Sequence, residues 1–170
     1  LHSEVDLKKL ETFHDAVKEK FPQKQERISM QAGFQFSPEG PTALPASSKP
    51  DGYLFRSTIE NKVVQARVDG FTFNKLKPYE NWELFSNEAR NLWKIYVDVA
   101  NPIKIKRIAL RYINRIEIPL PMNEFKEYIL TVPEIAPNIP QALTQFFMNL
   151  VIPNPEIEAT AIINQTMENP

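Results

Sequence analysis

Several kinds of chemistry are excluded by what this sequence lacks. The 170-residue chain has no cysteine, which removes disulfides, thiol nucleophiles and cysteine-based metal sites. Its two histidines, His2 and His14, have no carboxylates near them at a recognised metal-binding spacing, so the sequence indicates neither a zinc site nor a histidine-based triad. The four glycines are scattered, and no phosphate-binding loop or dinucleotide fingerprint is present. We therefore expect no metal and no cofactor, and no constellation of residues supports an enzyme.

Long hydrophobic runs are also missing. No apolar stretch approaches the ~20 residues that a membrane-spanning helix needs, and no signal-peptide pattern opens the chain. We expect no membrane association, and the absence of cysteine fits a cytoplasmic location. The length suits one core, so the sequence predicts a single α+β domain over residues 1–170.

The net charge of −1 hides an asymmetry. Residues 53–115 carry twelve Lys/Arg against six Asp/Glu, whereas residues 116–170 carry one against seven. In one interpretation the acidic third packs beside the basic middle and neutralises it. In the other, the basic middle is an exposed surface for an acidic partner.

Hydrophobic periodicity predicts two long helices. Ser3 and Asp6 have capping-box spacing ahead of a helix over about residues 4–21, which Pro22 ends. A second helix over about 80–100 carries an aromatic-rich stripe and ends at Asn101-Pro102. We expect this stripe to be buried against a later strand, and its principal members are Trp82, Phe85, Trp93 and Tyr96.

Period-2 alternation predicts the strands. The first covers about 28–36, and a hairpin at 53–60 and 62–68 turns near Asn61, with a further turn or bulge at Asp69-Gly70. The proline-rich stretch 37–52 is predicted to be a disordered loop. After a short helix at about 123–130, a second hairpin includes Phe146–Ile152 and Ile157–Ile163.

The order of these elements predicts a fold class. Helix, three strands, helix and three strands (αβββ-αβββ) indicate α+β, with a curved, mostly antiparallel sheet and both long helices packed on one face.

The most informative stretch is 103–119, which alternation predicts to be a long strand. Arg107, Arg111 and Arg115 share one face and are spaced roughly 13 Å apart along an extended chain. They are either a binding row for phosphate or a partner's carboxylates, or structural ion pairs with Glu60, Asp69 or the acidic C-terminal strands.

The segment 75–82 joins lysines to aromatic residues. Such interleaving suits a nucleic-acid platform, with Tyr79 as an exposed contact residue. The alternative is that Pro78 and Trp82 simply lead the chain into a packed helix.

Three blocks of the sequence, Asp69–Trp82, Leu92–Tyr96 and Ile108–Ile116, resemble a sporadically distributed family of uncharacterised bacterial proteins. That family joins a PYE-x-W helix start to an LRYINRI strand. The resemblance implies a stand-alone cytoplasmic domain. Members of the family usually have a further strand at each end, and we expect this chain to lack both. The resemblance also suggests accessory or defence-associated genes. It supplies no established activity and no catalytic residues.

Three functional hypotheses follow. The leading one is a non-enzymatic module, of an immunity-like or antitoxin-like kind, that binds a protein partner or itself through the sheet surface, the arginine row and Tyr79. The second is a small-molecule binder with an aromatic cavity between sheet and helix, lined by Phe71, Phe73, Trp82, Phe85 and Trp93. The third is nucleic-acid binding through the basic middle segment.

Overall fold

The α+β class is confirmed. The computed structural model describes residues 5–31, 34–37, 40–43, 45, 47–119, 121, 124–141 and 143–167. Contacts divide the chain into two units, Leu1–Ala109 and Leu110–Pro170, each with its own elements. Ser3, which was predicted to cap the first helix, lies outside the described residues.

Helix α1 spans Leu7–Val17 and is shorter than predicted. The Asp6 side chain caps it by accepting a hydrogen bond from the Lys8 backbone N–H at 3.0 Å. Such a cap satisfies one of the amides that a helix leaves without a partner at its start. One face of α1 buries Leu10, Phe13 and Val17.

Six strands follow α1 before the second helix. They are β1 (Gln23–Gln31), β2 (Phe34–Ser37), β3 (Gly40–Ala43), β4 (Ser47–Arg56), β5 (Lys62–Arg67) and β6 (Gly70–Lys75). Four of them form an antiparallel sheet in the order β1-β4-β5-β6, and β2 pairs with β3 in a separate antiparallel pair. The predicted hairpin turn at Asn61 is confirmed, with Asn61 at φ 51°, and so is the turn before Gly70.

The first unit's core lies on one face of the four-stranded sheet. Phe55 pairs with Val64, and Tyr53 with Ala66, in the β4–β5 ladder. These four side chains are buried together with those of both helices. Because successive strand residues turn to opposite faces, every second position of β4 and β5 is fixed by this core.

The prediction of a disordered loop over 37–52 is wrong for most of its described part. Residues 40–43 and 47–52 lie in strands. Proline is tolerated in strands mainly at edges and irregularities. Pro41 belongs to the isolated β2–β3 pair, and Pro50 lies opposite Ile28, next to a register shift at Arg27/Ile28.

Helix α2 spans Trp82–Ala100, in agreement with the prediction. The Asn81 side chain accepts a hydrogen bond from the Leu84 N–H at 2.9 Å. Asn101 ends the helix in the left-handed conformation, at φ 46°, and Pro102 then removes a backbone donor.

The packing predicted for α2 needs correction. Tyr96 is buried, but its ring contacts Phe71 of β6, and Trp82 is 51% exposed. The residues expected to cover the stripe, Ile108, Leu110 and Tyr112, are themselves more than half exposed. The aromatic stripe therefore packs on the sheet that precedes it in sequence.

The element order also differs from the prediction. Six strands, rather than three, separate the helices, and residues 104–119 form neither helix nor strand. A short 3₁₀ turn at Phe125–Glu127 lies within the range of the predicted short helix. Strand β7 (Phe147–Asn154) pairs antiparallel with β8 (Ala159–Thr166) and forms the predicted second hairpin. The curvature of the sheet stays a prediction.

Two glycines opposite Arg67 provide a matched test of this sheet. A Cβ on Gly52 would lie 2.3 Å from the Ala66 carbonyl oxygen, whereas a Cβ on Gly70 would meet only the Arg67 side chain. We expect Gly52→Ala to destabilise the fold by about 1–3 kcal/mol, since backbone atoms cannot move aside easily. Gly70→Ala should change stability by no more than about 0.5 kcal/mol. Urea unfolding measures both, and equal losses would contradict the β4–β5 register.

Candidate functional site

The segment that carries the arginine row begins where α2 ends. The Asn101 backbone N–H donates to the Val97 carbonyl at 2.8 Å and closes the last helical turn. The chain then leaves the helix through Pro102. This capped end separates the buried stripe of α2 from residues 103–119.

Large apolar side chains are exposed along this segment. Ile108 is 86% exposed, and six others are also more than half exposed. The seven are Ile103, Ile105, Ile108, Leu110, Tyr112, Ile113 and Ile116. Single exposed apolar residues are ordinary, but a concentration of them marks an interaction surface.

The arginine row is exposed as well. Arg107, Arg111 and Arg115 all have solvent-accessible side chains, and they do not stand on a strand. The Arg115 Nε lies 3.6 Å from a Glu117 carboxylate oxygen. Within the described part of the chain, neither Arg107 nor Arg111 forms an ion pair.

Two of the acids proposed as structural partners of the row, Glu60 and Asp69, are engaged elsewhere. Glu60 pairs with Lys62 at 2.5 Å, and Asp69 lies 3.3 Å from the Arg67 Nε. Both contacts are local in sequence and belong to the first unit.

The five residues expected to line a cavity form two groups of packed rings, Phe71 with Trp93 and Phe73 with Phe85 and Trp82. Phe71 and Trp93 meet edge to face with centroids 5.8 Å apart, and Phe73 stacks on Phe85 at 5.1 Å. Trp82 lies 6.0 Å from Phe85. Centroid separations of about 4.5–7 Å are those of favourable aromatic contacts.

Tyr79 lies at the rim of this cluster, with its ring 6.3 Å from that of Phe85. The small space beside it has a volume of about 10 Å³, roughly enough for one water molecule. Its polar wall includes Lys75, whose ammonium lies 3.5 Å from Glu80. One lysine of the suggested nucleic-acid platform is therefore already paired with an acid.

Lys62 joins the sheet to α2 and was not anticipated from the sequence. Its ammonium contacts Glu60 at 2.5 Å and Glu88 at 2.6 Å. Burial lowers the pKa of Lys62, but its hydrogen bonds to the two carboxylates outweigh this and raise the pKa overall. The hydrogen bond and charge of Lys62 lower the pKa of Glu60.

A second concave surface, also unanticipated, lies between the end of α1 and α2. The groove encloses about 400 Å³, a volume in the range of small-molecule sites. Val17, Phe21 and Leu92 form apolar parts of its wall, and Leu84 and Ile95 extend it. No sequence motif marks it, because its walls come from two helices more than sixty residues apart.

The described part of the chain offers neither a cluster for a metal ion nor a membrane-spanning helix. Over the described ranges, no group of three or more His, Asp or Glu side chains could hold a metal ion. None of the helices found there is long and apolar enough to cross a bilayer. Comparison with protein-family models, with curated proteins and with solved structures finds no match.

The Lys62 pairs predict a pH-dependent stability. Lys62→Met should destabilise the fold by about 1 kcal/mol at pH 7, because it leaves two carboxylates without their cation. The pKa of Glu60 is lowered from 4.5, so its contribution is complete above that value and is lost as pH falls through the lower folded pKa. The raised pKa of Lys62 means that its own contribution is lost only as pH rises above 10.5.

Urea unfolding at pH 3 and pH 7 measures this difference. The deficit of Lys62→Met relative to the parent should shrink at pH 3. Lys18→Met is the matched control, since its ion pair with Asp15 is exposed on both sides and should contribute at most about 0.5 kcal/mol. An equal deficit at both pH values would contradict the ion-pair assignment.

Proposed function

We propose that this chain is a non-enzymatic protein-interaction module whose contact segment is residues 103–119. The observation that carries the proposal is the exposure of seven large apolar side chains within fourteen residues, 103–116. Exposing them to water is unfavourable by about 25 cal/mol per Å². A partner that covers them recovers this free energy.

Pairing as a strand is the mode of binding that the sequence of the segment favours. An added strand gains backbone hydrogen bonds, while alternate side chains supply specificity. From Ile108, even positions are predominantly apolar and the arginines occupy odd positions. The strand predicted at 103–119 would then form together with its partner, because a strand's amides and carbonyls need a second chain segment to pair with.

The charge of the segment limits the partner. Residues 103–115 contain five cations and no acid, namely Lys104, Lys106, Arg107, Arg111 and Arg115. A surface that supplies carboxylates to these guanidinium groups would gain charge-assisted, bidentate hydrogen bonds. The partner surface should therefore combine an apolar strip with a carboxylate placed to meet one of these guanidinium groups.

The other two hypotheses have less support. Ligand pockets usually enclose about 300–1,000 Å³, and the space beside the aromatic cluster holds about 10 Å³. Single-stranded nucleic acids bind by stacking on aromatic rings, whereas the large apolar side chains exposed in 103–116 are five isoleucines, one leucine and one tyrosine. Aliphatic side chains suit a protein partner.

The family resemblance is consistent with this role. It suggests a cytoplasmic protein, and an immunity-like or antitoxin-like binder would be one form of such a module. Both statements rest on the resemblance of the Pro78–Trp82 and Leu110–Ile116 motifs, with the absence of cysteine as a minor support for the location.

Site-specific photo-crosslinking in cells that express the full chain tests the proposal. A photoreactive phenylalanine analogue replaces Ile108, which is 86% exposed, or Ile59, which is 89% exposed in the β4–β5 turn. We expect a discrete covalent adduct from position 108 and none from position 59. Adducts at both positions, or at neither, would contradict the proposal that residues 103–119 are the contact segment.

Arg111→Ala gives an independent check of the arginine row. Because Arg111 is exposed, its removal should shift the free energy of unfolding by no more than about 0.5 kcal/mol. The adduct at position 108 should nevertheless weaken, since a charge-assisted contact is lost. A loss of several kcal/mol would instead assign Arg111 a structural role.

A further inference from the structure

We propose that the partner of the contact segment is a second copy of this chain, paired antiparallel through residues 106–118 about a two-fold axis at Tyr112. The inference rests on the proposed function and adds the identity of the partner. Closed two-fold association is the commonest symmetry of self-associating proteins, and it requires a surface complementary to itself. The register below meets that requirement.

The side-chain faces and the charges together limit which residues can lie opposite one another. Directly opposite residues of an antiparallel pair share a face of the ladder. Even positions therefore lie opposite even positions, and apolar side chains opposite apolar ones, only when the two-fold axis passes through a residue rather than between two residues. Centring on Tyr112 places Arg107 opposite Glu117 twice, once at each end. It also places Ile108 opposite Ile116 twice, on the other face.

Registers centred on neighbouring residues either place like charges opposite each other or lose the pairing of arginine with glutamate. An axis through Arg111 puts that residue opposite itself and Arg107 opposite Arg115, and an axis through Ile113 puts Arg111 opposite Arg115. Like charges directly opposite are destabilising. An axis through Leu110 brings no opposite charges together.

Two competitors remain. An axis through Ile116 pairs Arg115 with Glu117, but only residues 114–118 pair before Pro119 enters the ladder. An axis through Asn114 pairs Arg111 with Glu117, but it draws Pro119 into the ladder opposite Ala109. Proline has no N–H to donate and is disfavoured inside a ladder. The register centred on Tyr112 ends at Ile118, before the proline, and uses the longer run of residues.

The two charged groups that this register pairs, Arg107 and Glu117, are accessible. Arg107 is exposed and makes no ion pair within the described residues, and Glu117 is 81% exposed. Its 3.6 Å contact with Arg115 can persist, because a carboxylate has two oxygens that accept hydrogen bonds. One strand pair is a small interface, so the dimer should be weak and concentration-dependent.

Because the chain has no cysteine, any disulfide in a single-cysteine variant must join the introduced residues of two copies. In the proposed register, the two copies of residue 112 lie opposite each other, with Cα atoms about 4.5–5.5 Å apart, inside the range for a disulfide. Tyr112→Cys should therefore oxidise to a covalent dimer. Arg111→Cys, Ile113→Cys and Asn114→Cys should each give about tenfold less, because their Cα–Cα distances exceed the disulfide range.

Two further variants form a matched pair. Ala109 and Arg115 face one another across the axis, but each lies roughly 20 Å from its own copy. Ala109→Cys alone and Arg115→Cys alone should remain monomeric under oxidation, and a mixture of the two should give the mixed disulfide. A maximum at a position other than 112, or no disulfide from the mixture, would overturn the register.

Charge exchange tests the same pairs without cysteine. Arg107→Glu and Glu117→Arg should each weaken dimerisation by about tenfold, measured by sedimentation over a concentration series, because opposite charges become like charges. The double exchange Arg107→Glu/Glu117→Arg should restore it to within about threefold of the parent. A double variant no better than the single ones would reject the pairing.

The two proposals can fail separately. An adduct at position 108 whose mass is not twice that of the chain, together with no disulfide from Tyr112→Cys, would reject the second copy and keep the interaction module. No specific adduct and no disulfide would reject both.

Discussion

Burial of alternate β4 and β5 side chains beneath two helices is the constraint on which the first unit depends. Phe55 is fully buried, lies beside Phe13 of α1 with ring centroids 5.3 Å apart, and pairs with Val64 across the ladder. Moving either strand by one residue would send these side chains to the opposite face. The register of β5 also fixes the register of β6, in which Phe73 lies opposite Val64. The Phe73 ring stacks on the Phe85 ring of α2.

The core of the first unit accounts for the buried face of α2 without residues 103–109. The buried face of α2 is occupied by the sheet, with the Tyr96 hydroxyl donating to the Arg67 carbonyl at 2.8 Å. Tyr96 and Phe71 therefore meet each other rather than the apolar residues that follow α2. Asn101 and Pro102 end the helix abruptly, so Ile108 and its neighbours cannot join the same stripe. Ile103, Ile105 and Ile108 are exposed.

Local signals predicted both long helices and the β4–β5 and β7–β8 hairpins. Asn81 and Asn101-Pro102 bound α2, and Asn61 turns the β4–β5 hairpin, because each acts through backbone atoms a few residues away. Strands within 37–52 were missed because four prolines in a short stretch are typical of a loop. Pro50 is accommodated in β4 beside a register shift, where Asp51 is the extra residue between Pro50, opposite Ile28, and Gly52, opposite Arg27. This shift is defined by the pairing with β1, which is remote from Pro50 in sequence. The contact between Lys62 and Glu88 likewise joins residues that are far apart in sequence.

The sequence alone determined the alternation of apolar and charged side chains at 103–119, the row of Arg107, Arg111 and Arg115, and the absence of cysteine and nucleotide-binding motifs. This order of residues places the two kinds of side chain on opposite faces only where the segment is an extended strand, and residues 104–119 are not in a strand here. Only the tertiary structure decided that Tyr96 is covered by β6 and that Ile108 is exposed. Burial and backbone pairing both require a second surface, and which surface is nearest depends on the folded chain.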